Sequence, residues 1–198
     1  MVTPLSGTLD RRAVVSRLLR DRADLLVVTG LGSPSYDVNA AGDHDGNYYL
    51  WGAMGAAALV GLGLAQARPE RTVLVITGDG EQLMGLGGLA TIAVACPANL
   101  VIAVLNNGHY GETGMQVSHS GFGLELAQVA LAMGFAATAT VTDDAGVEAL
   151  AEALKAGAAG PRLYDIRIKA ENVPRSLPPR DAVHIKNRFR AHLGFEVT

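Results

Sequence analysis

The chain has little of what marks secreted, membrane-spanning or nucleic-acid-binding proteins. Its 198 residues include a single cysteine, Cys96, which excludes an internal disulfide and favours a reducing compartment. Because Cys96 precedes a proline near a predicted helix end, we expect a buried, inert thiol. The net charge of −3 lacks the basic excess of a protein that binds nucleic acid or an acidic membrane surface. These absences argue against nucleic-acid and membrane partners.

Long uninterrupted apolar runs are also missing. The longest apolar stretch, residues 53–67, contains three glycines and is bounded by polar residues, so it is too short for a membrane-spanning helix. The first residues show no basic segment followed by an apolar core, which is the pattern of a secretory signal. We therefore expect a cytoplasmic protein.

What the chain does contain is typical of a globular α/β domain. Apolar residues make up 49% and charged residues 18%, and 24 glycines indicate tight turns. Short β-branched runs alternate with amphipathic or small-residue segments, which predicts a single doubly wound parallel sheet with helices on both faces. The predicted strands are 25–28, 72–77, 100–105, 136–141 and 162–168, the helices are 9–21, 51–67, 86–95, 124–133 and 144–156, and the Gly-rich loops are 29–47 and 106–123.

The only shift in composition comes near the end of the chain. We therefore predict one domain over residues 1–170, followed by a tail over residues 171–198 that is first proline-rich and then basic. Several apolar side chains in the tail suggest that it docks on the domain or on a partner subunit rather than remaining free.

Two short motifs follow predicted buried strands and carry most of the functional information. Gly78-Asp79-Gly80 comes after strand 72–77, and Asn106-Asn107 comes after strand 100–105. Because the carboxyl ends of parallel strands share one edge of a sheet, a carboxylate and an amide oxygen meet there, and both are ligands suited to Mg²⁺. Glycines beside Asp79 allow a phosphate to approach the backbone closely. The alternative is ordinary turn chemistry, since Asp and Asn are common after strands.

The two motifs and their spacing resemble the signature of thiamine-diphosphate-dependent enzymes, in their diphosphate-binding (PP) domain. The resemblance implies thiamine diphosphate and Mg²⁺ as cofactors, with the thiamine-diphosphate-binding fold. It further implies that the metal is held by Asp79, Asn107 and the backbone carbonyl of His109. The remaining contacts to the cofactor in this half of the site would come from Gly78, Gly80, Glu81, Tyr110 and Gly111.

A second segment, Gly52-Ala53-Met54-Gly55, resembles the part of these enzymes that holds the aminopyrimidine ring. The resemblance implies that the side chain of Met54 wedges between the two rings and enforces their bent V conformation. Backbone groups of Gly52 and Met54 would bond the pyrimidine edge, and Ala53 between them is a further candidate cofactor-binding residue. The alternative is a core methionine at the start of a glycine-rich helix.

The loop 106–116, together with segments 32–36 and 49–55, resembles the sulfopyruvate and phosphonopyruvate decarboxylases within that family. The resemblance implies a lyase: a 2-oxo acid decarboxylase whose small substrate carries a second anionic group. Glu112, Thr113 and Gln116 are then the candidates for the catalytic substrate pocket, and an ordinary solvated loop is the alternative.

These enzymes take a catalytic glutamate from a separate pyrimidine-binding (PYR) domain, for which this chain is too short. We therefore expect a hetero-oligomer in which a PYR partner chain supplies the glutamate, so that the chain alone is inactive. Two other functions stay open. The chain could belong to a carboligating (acyloin-forming) enzyme, or it could be a non-catalytic cofactor-binding or scaffold module.

Overall fold

A computed structural model describes residues 7–196 of the chain. Residues 1–6, which include the start inspected for a signal, and the last two residues of the predicted tail lie outside the described residues. The strands are β1 (Leu26–Thr29), β2 (Asn47–Tyr49), β3 (Val73–Gly78), β4 (Leu100–Asn106), β5 (His109–Tyr110), β6 (Gln116–Val117), β7 (Ala137–Val141) and β8 (Arg162–Arg167). The helices are α1 (Arg11–Leu19), α2 (Ser33–Ala40), α3 (Ala57–Ala67), α4 (Asp79–Met84), α5 (Gly88–Ala95), α6 (Leu126–Met133), α7 (Asp144–Ala153) and α8 (Ala182–His192).

Six strands form one parallel sheet in the order β2-β1-β3-β4-β8-β7, and β5 and β6 form a small antiparallel hairpin. The central strands β3 and β4 are β-branched and almost wholly buried, as expected of a sheet covered on both faces. Chain order reverses on either side of β1, which places a topological switch point between β1 and β3. The predicted fold, a doubly wound parallel α/β sheet, is confirmed.

Two hydrophobic clusters lie on opposite faces of this sheet. One contains the buried side chains of α1, α2 and α7 with alternate residues of the strands, such as Leu74 and Ile76 of β3. The other contains those of α3, α5 and α6 with the intervening residues, such as Val73 and Val75. The alternation along each strand follows from the two-residue period of a β-strand. Among the described residues, no helix is both long and apolar enough to cross a membrane.

The segment 29–47 was predicted to be a loop, and that prediction is wrong in part. It contains α2, and it ends at the short edge strand β2. Pro34 lies in the first turn of α2, where proline is compatible with a helix because the missing N–H has no partner there. The residues of α2 are mostly polar, so this helix lacks the apolar periodicity from which helices were predicted.

The predicted helix 51–67 begins only at Ala57. Gly52, Ala53 and Gly55 have φ angles of +79°, +50° and +87°, which lie in the left-handed region and cannot continue a right-handed helix. Residues 52–56 therefore form a separate turn, here named the Met54 loop, that leads into α3.

The C-terminal segment lies against the domain. In α8 the side chains of Ile185 and Phe189 are buried, and the Phe189 ring packs 5.5 Å from the ring of Tyr48 in β2. The helix thus covers the edge strand β2, which would otherwise expose unpaired backbone groups. Before it, residues 172–181 form a strap, which is joined to the domain by a hydrogen bond from Trp51 Nε1 to the Pro179 carbonyl at 2.8 Å. The division of the chain at residue 170 stays a prediction.

Cys96 is exposed, so the expectation of a buried thiol is wrong. It ends α5 in a left-handed conformation with φ of +48°, which turns the chain outward before Pro97. Its Sγ lies 3.7 Å from the carbonyl of Ala159.

Candidate functional site

A cavity of about 210 Å³ lies at the carboxyl edge of the sheet, beside the switch point between β1 and β3. The register pairs Gly78 with Leu105, so the segments that follow β3 and β4 leave the sheet at the same level. The cavity wall includes most residues predicted from the sequence: Met54, Gly78, Asp79, Gly80, Glu81, Asn107, His109, Tyr110, Gly111, Glu112 and Thr113. Gly52, Ala53 and Gln116 lie near it but are not part of the wall.

Asp79 is the first residue of α4 and is 1% exposed. Its Oδ2 accepts a hydrogen bond from Ser118 Oγ at 2.5 Å, and within residues 7–196 no basic side chain forms an ion pair with it. Burial raises the pKa of Asp79, and the Ser118 hydrogen bond offsets part of that rise. A buried carboxylate without a protein cation has the donor chemistry of a metal ligand.

Asn106 and Asn107 are adjacent, but their side chains have different hydrogen-bond partners. The Asn106 side chain donates to Asp165 Oδ1 at 2.7 Å and accepts from the Gly108 backbone N–H at 3.0 Å, which ties the turn to β8. Asn107 lines the cavity, and its Oδ1 accepts from the backbone N–H of His109 at 2.9 Å. A further contact of 2.8 Å joins His109 Nδ1 to the Asn107 carbonyl. The turn after β4 therefore fixes the Asn107 side chain in the cavity wall, and the Asn107 backbone N–H bonds the Asp79 carboxylate.

Two side-chain ligands are too few to hold a magnesium ion alone. Within the described part of the chain, no cluster of three or more His, Cys, Asp or Glu side chains could hold a metal ion. Mg²⁺ takes six oxygen ligands and commonly combines one or two carboxylates with phosphate oxygens and water. The donor set of Asp79 and Asn107 therefore fits a metal that arrives with a phosphate ligand.

The two glycines beside Asp79 differ in their surroundings. A Cβ on Gly80 would lie 2.5 Å from Cδ1 and Cε1 of Tyr110, so the Tyr110 ring packs directly on the Gly80 backbone. A Cβ on Gly78 would meet nothing within 4 Å. Gly80 is therefore required for the approach of the β5–β6 hairpin, whereas the backbone at Gly78 is open toward the cavity.

Glu81 lines the cavity, but its carboxylate also fixes the surrounding loops. Its Oε2 accepts from Thr77 Oγ1 at 2.9 Å and lies against the end of β1, where a Cβ on Gly30 would come within 1.6 Å of it. Burial raises the pKa of Glu81, and the Thr77 hydrogen bond offsets part of the rise. Glu81 therefore joins the ends of β1 and β3 beneath the cavity.

The Met54 loop is fixed by close backbone packing. A Cβ on Gly85 would lie 1.9 Å from the carbonyl oxygen of Gly55, so the end of α4 touches this loop without intervening side chains. Met54 itself is 44% exposed and forms part of the cavity wall. The alternative interpretation, a core methionine at a helix start, does not fit this exposure.

We expect Gly85→Ala to destabilise the protein by about 1–3 kcal/mol, because the new Cβ must displace the backbone of Gly55. Gly87→Ala is the matched control, since its Cβ would meet nothing within 4 Å and its φ of −62° suits alanine. Thermal unfolding of both variants checks the prediction. Equal melting temperatures for the two would contradict the close contact.

The predicted substrate-pocket residues are divided between the cavity and its rim. Glu112 lines the wall, accepts from Ser33 Oγ at 3.1 Å and forms an ion pair of 2.9 Å with Arg175 of the strap. Thr113 also lines the wall, and its Oγ1 donates to Gln116 Oε1 at 2.9 Å. The Gln116 side chain is thus bound within its own loop, outside the cavity wall.

Sequence reasoning missed some residues of the site. Ser118 belongs to a segment predicted only as loop, 39 residues from the carboxylate it contacts, and no local pattern marks that pairing. Ser33 was hidden by the missed helix α2. Arg11 lies within the predicted helix 9–21 and was not predicted to belong to the site, but it is 4% exposed and lines the cavity.

The sequence and the fold match a known group of enzymes. Residues 35–166 match the family model described as thiamine pyrophosphate enzyme, C-terminal TPP binding domain. The chain is 36% identical over 181 residues to the sulfopyruvate decarboxylase subunit beta of Methanothermobacter thermautotrophicus, covering 91% of this chain and 94% of that one. It is 40% identical over 185 residues to the phosphonopyruvate decarboxylase of Streptomyces viridochromogenes, covering 91% of this chain but only 45% of that one.

Among solved structures, the benzoylformate decarboxylase of Polynucleobacter necessarius aligns with a TM-score of 0.71 at 19% identity, over 84% of this chain and 34% of that one. That likeness supports the fold alone. The chain thus spans nearly the whole of a beta subunit, less than half of the single-chain phosphonopyruvate decarboxylase and about a third of the benzoylformate decarboxylase.

Proposed function

The chain belongs to the thiamine pyrophosphate enzyme family, as its motifs indicated, and we propose that it is the diphosphate-binding subunit of a two-subunit 2-oxo acid decarboxylase. The observation that carries the proposal is the buried carboxylate of Asp79, which lines the same cavity as Asn107 and has no ion-pair partner within residues 7–196. The near-complete match to a beta subunit favours a division of the enzyme into two chains.

In this proposal Asp79 and Asn107 hold Mg²⁺, and the backbone carbonyl of His109 completes the protein's share of the ligands. The rest of the coordination shell comes from diphosphate oxygens and water. The open backbone at Gly78 leaves room for the phosphate. Ser118 orients the Asp79 carboxylate through its short hydrogen bond.

When bound, thiamine diphosphate supplies the electron sink for the pair of electrons released as CO₂ leaves a 2-oxo acid. The role proposed for this chain is to position the cofactor and the substrate. Met54, on a loop fixed against Gly85, would support a bent conformation of the bound cofactor, while the strap and the loop around Glu112 would form the rim toward the substrate. At this rim Arg175 of the strap pairs with Glu112 at 2.9 Å, which neutralises the one carboxylate there that would repel an anionic substrate.

The proposed partner is a pyrimidine-binding subunit that supplies the catalytic glutamate. Around the cavity the chain exposes large apolar side chains, with Met54 at 44%, Leu59 at 40% and Met84 at 61% exposure. Met84 adjoins the Met54 loop, and Leu59 packs on Gly88 immediately beyond it. Exposed apolar groups beside a polar site are typical of a protein–protein interface, so this face is the proposed contact with the partner.

The substrate class is tested with the co-purified pair of subunits. We expect CO₂ release from 2-oxo acids that carry a second anionic group, such as sulfopyruvate or phosphonopyruvate, and little from pyruvate. Analysis of the products separates decarboxylation from acyloin formation. A complex that binds thiamine diphosphate but releases no CO₂ from any 2-oxo acid would contradict the decarboxylase assignment.

We expect Met54→Ala to lower turnover strongly while most of the cofactor affinity remains. The substitution leaves the metal-binding residues unchanged, so the diphosphate is still held. It removes the side chain that would keep the two cofactor rings in position for reaction, and turnover depends on that position. Met54→Leu is the matched variant, because it restores a bulky apolar side chain and with it most of the turnover. The measurements are kcat and the dissociation constant of thiamine diphosphate in the two-subunit complex. Normal turnover in Met54→Ala would leave Met54 with no role beyond packing.

A further inference from the structure

Arg11 is a cationic side chain in the wall of the cavity that the proposed function does not use. It is the first residue of α1 and is 4% exposed. Among the described residues, it is the only lysine or arginine that lines this cavity. Arginine is rarely so buried without a partner for its charge.

The partner of Arg11 is shared with a second arginine. Arg11 Nε donates to Asp37 Oδ2 at 2.7 Å, and Arg12 Nε donates to Asp37 Oδ1 at 2.6 Å. The Asp37 side chain has no exposure, so one buried carboxylate balances two guanidinium groups. Arg12 also donates to the Pro174 carbonyl at 2.7 Å, which directs it toward the strap and away from the cavity.

Among residues 7–196, the end of the Arg11 guanidinium has no hydrogen-bond acceptor. The one side-chain hydrogen bond of Arg11 to these residues is the bond from Nε, and Nη1 and Nη2 are not among the buried side-chain atoms that lack a hydrogen-bond partner. A buried cation that is only half neutralised is costly, and an anion in the adjoining cavity would remove that cost. The planar fork of arginine is suited to the oxygens of a phosphate group.

The faces of the sheet indicate which part of a cofactor lies near Arg11. The Met54 loop leads into α3, whose core is on one face, whereas Arg11 begins α1 on the opposite face. The cavity therefore runs across the carboxyl edge from Met54 to Arg11, and Asp79 and Asn107 follow the central strands between them. If the aminopyrimidine lies at Met54, the diphosphate extends toward Arg11.

We propose that Arg11 is a fixed cationic contact for the cofactor's diphosphate, held in place by Asp37; this inference rests on the proposed function. Asp37 serves as the positioning residue, since it holds Arg11 through Nε and does not line the cavity. The contact would hold the phosphate end of the cofactor directly by charge, in addition to the metal.

The test compares Arg11→Gln with Arg12→Gln as the matched control. Each variant removes one of the two partners of Asp37, but only the first changes the cavity wall. Calorimetry on the two-subunit complex measures binding of inorganic pyrophosphate with Mg²⁺ and of thiamine diphosphate with Mg²⁺. We expect Arg11→Gln to weaken both by about tenfold or more, and Arg12→Gln by about twofold at most.

Each other result overturns the inference. Equal losses in the two variants would mean that Arg11 acts through Asp37 and packing. Unchanged pyrophosphate binding in Arg11→Gln, with a raised KM for the dianionic substrate in the two-subunit complex, would assign Arg11 to the substrate. Wild-type protein that binds neither pyrophosphate nor thiamine diphosphate would overturn the proposed function itself.

If Arg11→Gln does not fold, lysine variants test whether Arg11 contacts the diphosphate. Arg11→Lys retains the charge but loses the planar fork, so we expect pyrophosphate binding to weaken by about threefold, with Arg12→Lys unchanged. Equal affinities for Arg11→Lys and Arg12→Lys would overturn the proposal.

Discussion

Replacing Asp79 with alanine is expected to abolish binding of thiamine diphosphate with Mg²⁺ while the fold survives. The carboxylate is buried and is one of only two side chains proposed to hold the metal, so its removal leaves the ion without its charged protein ligand. Breaking a buried ion pair on one side costs about 3–5 kcal/mol, which is more than a hundredfold in affinity. Calorimetry on the two-subunit complex measures the loss. The control is Asp144→Ala, an exposed aspartate in the first turn of α7.

Removing the charge of Asp79 while keeping its shape has the opposite effect on the stability of the cofactor-free protein. Burial raises the folded-state pKa of Asp79 above its unfolded value, so the ionised carboxylate weakens the fold at neutral pH. The contribution of this group to stability therefore rises as pH falls through the folded pKa, whereas metal affinity falls over the same range because protons compete with Mg²⁺. We expect Asp79→Asn without cofactor to be at least as stable as the wild type at pH 7. Unchanged cofactor affinity in either Asp79 variant would contradict the metal assignment.

The sequence was most informative where a β-branched run ends at a polar motif. β3 and β4 are buried on both faces, so their composition identifies them as central parallel strands, and the residues that follow must lie at the carboxyl edge. That reasoning is local, and it located the motif residues Asp79 and Asn107, both of which line the cavity.

What the sequence did not reveal depends on long-range contacts or on backbone conformation. The bond from Ser118 to Asp79 joins residues 39 positions apart, and the burial of Arg11 depends on how α1 packs against Asp37 of α2. The Met54 loop resembles a helix start by composition, but its left-handed φ angles are set by the contact between Gly55 and Gly85. None of these features leaves a periodic pattern in the chain.

The isolated chain is expected to show no decarboxylase activity, and adding a pyrimidine-binding partner is expected to restore it. Both glutamates in the cavity wall already have protein contacts that hold their carboxylates. The Glu81 carboxylate is buried against Gly30 and bound by Thr77, and the Glu112 carboxylate is paired with Arg175. A positioned acid or base contributes about 10²–10⁴-fold to a rate, so the loss of the partner's carboxylate alone would suppress turnover.

The partner should also tighten cofactor binding. Met54 is 44% exposed in the isolated chain, so a cofactor bound there would remain open to water until a second subunit covered it. A partner that binds the loaded chain better than the empty one lowers the dissociation constant of the cofactor through linkage. The measurement is CO₂ release and thiamine diphosphate affinity for the purified chain, with and without its partner. Substantial activity of the chain alone would place the glutamate within it, and Glu81→Gln and Glu112→Gln would then show which of the two acts.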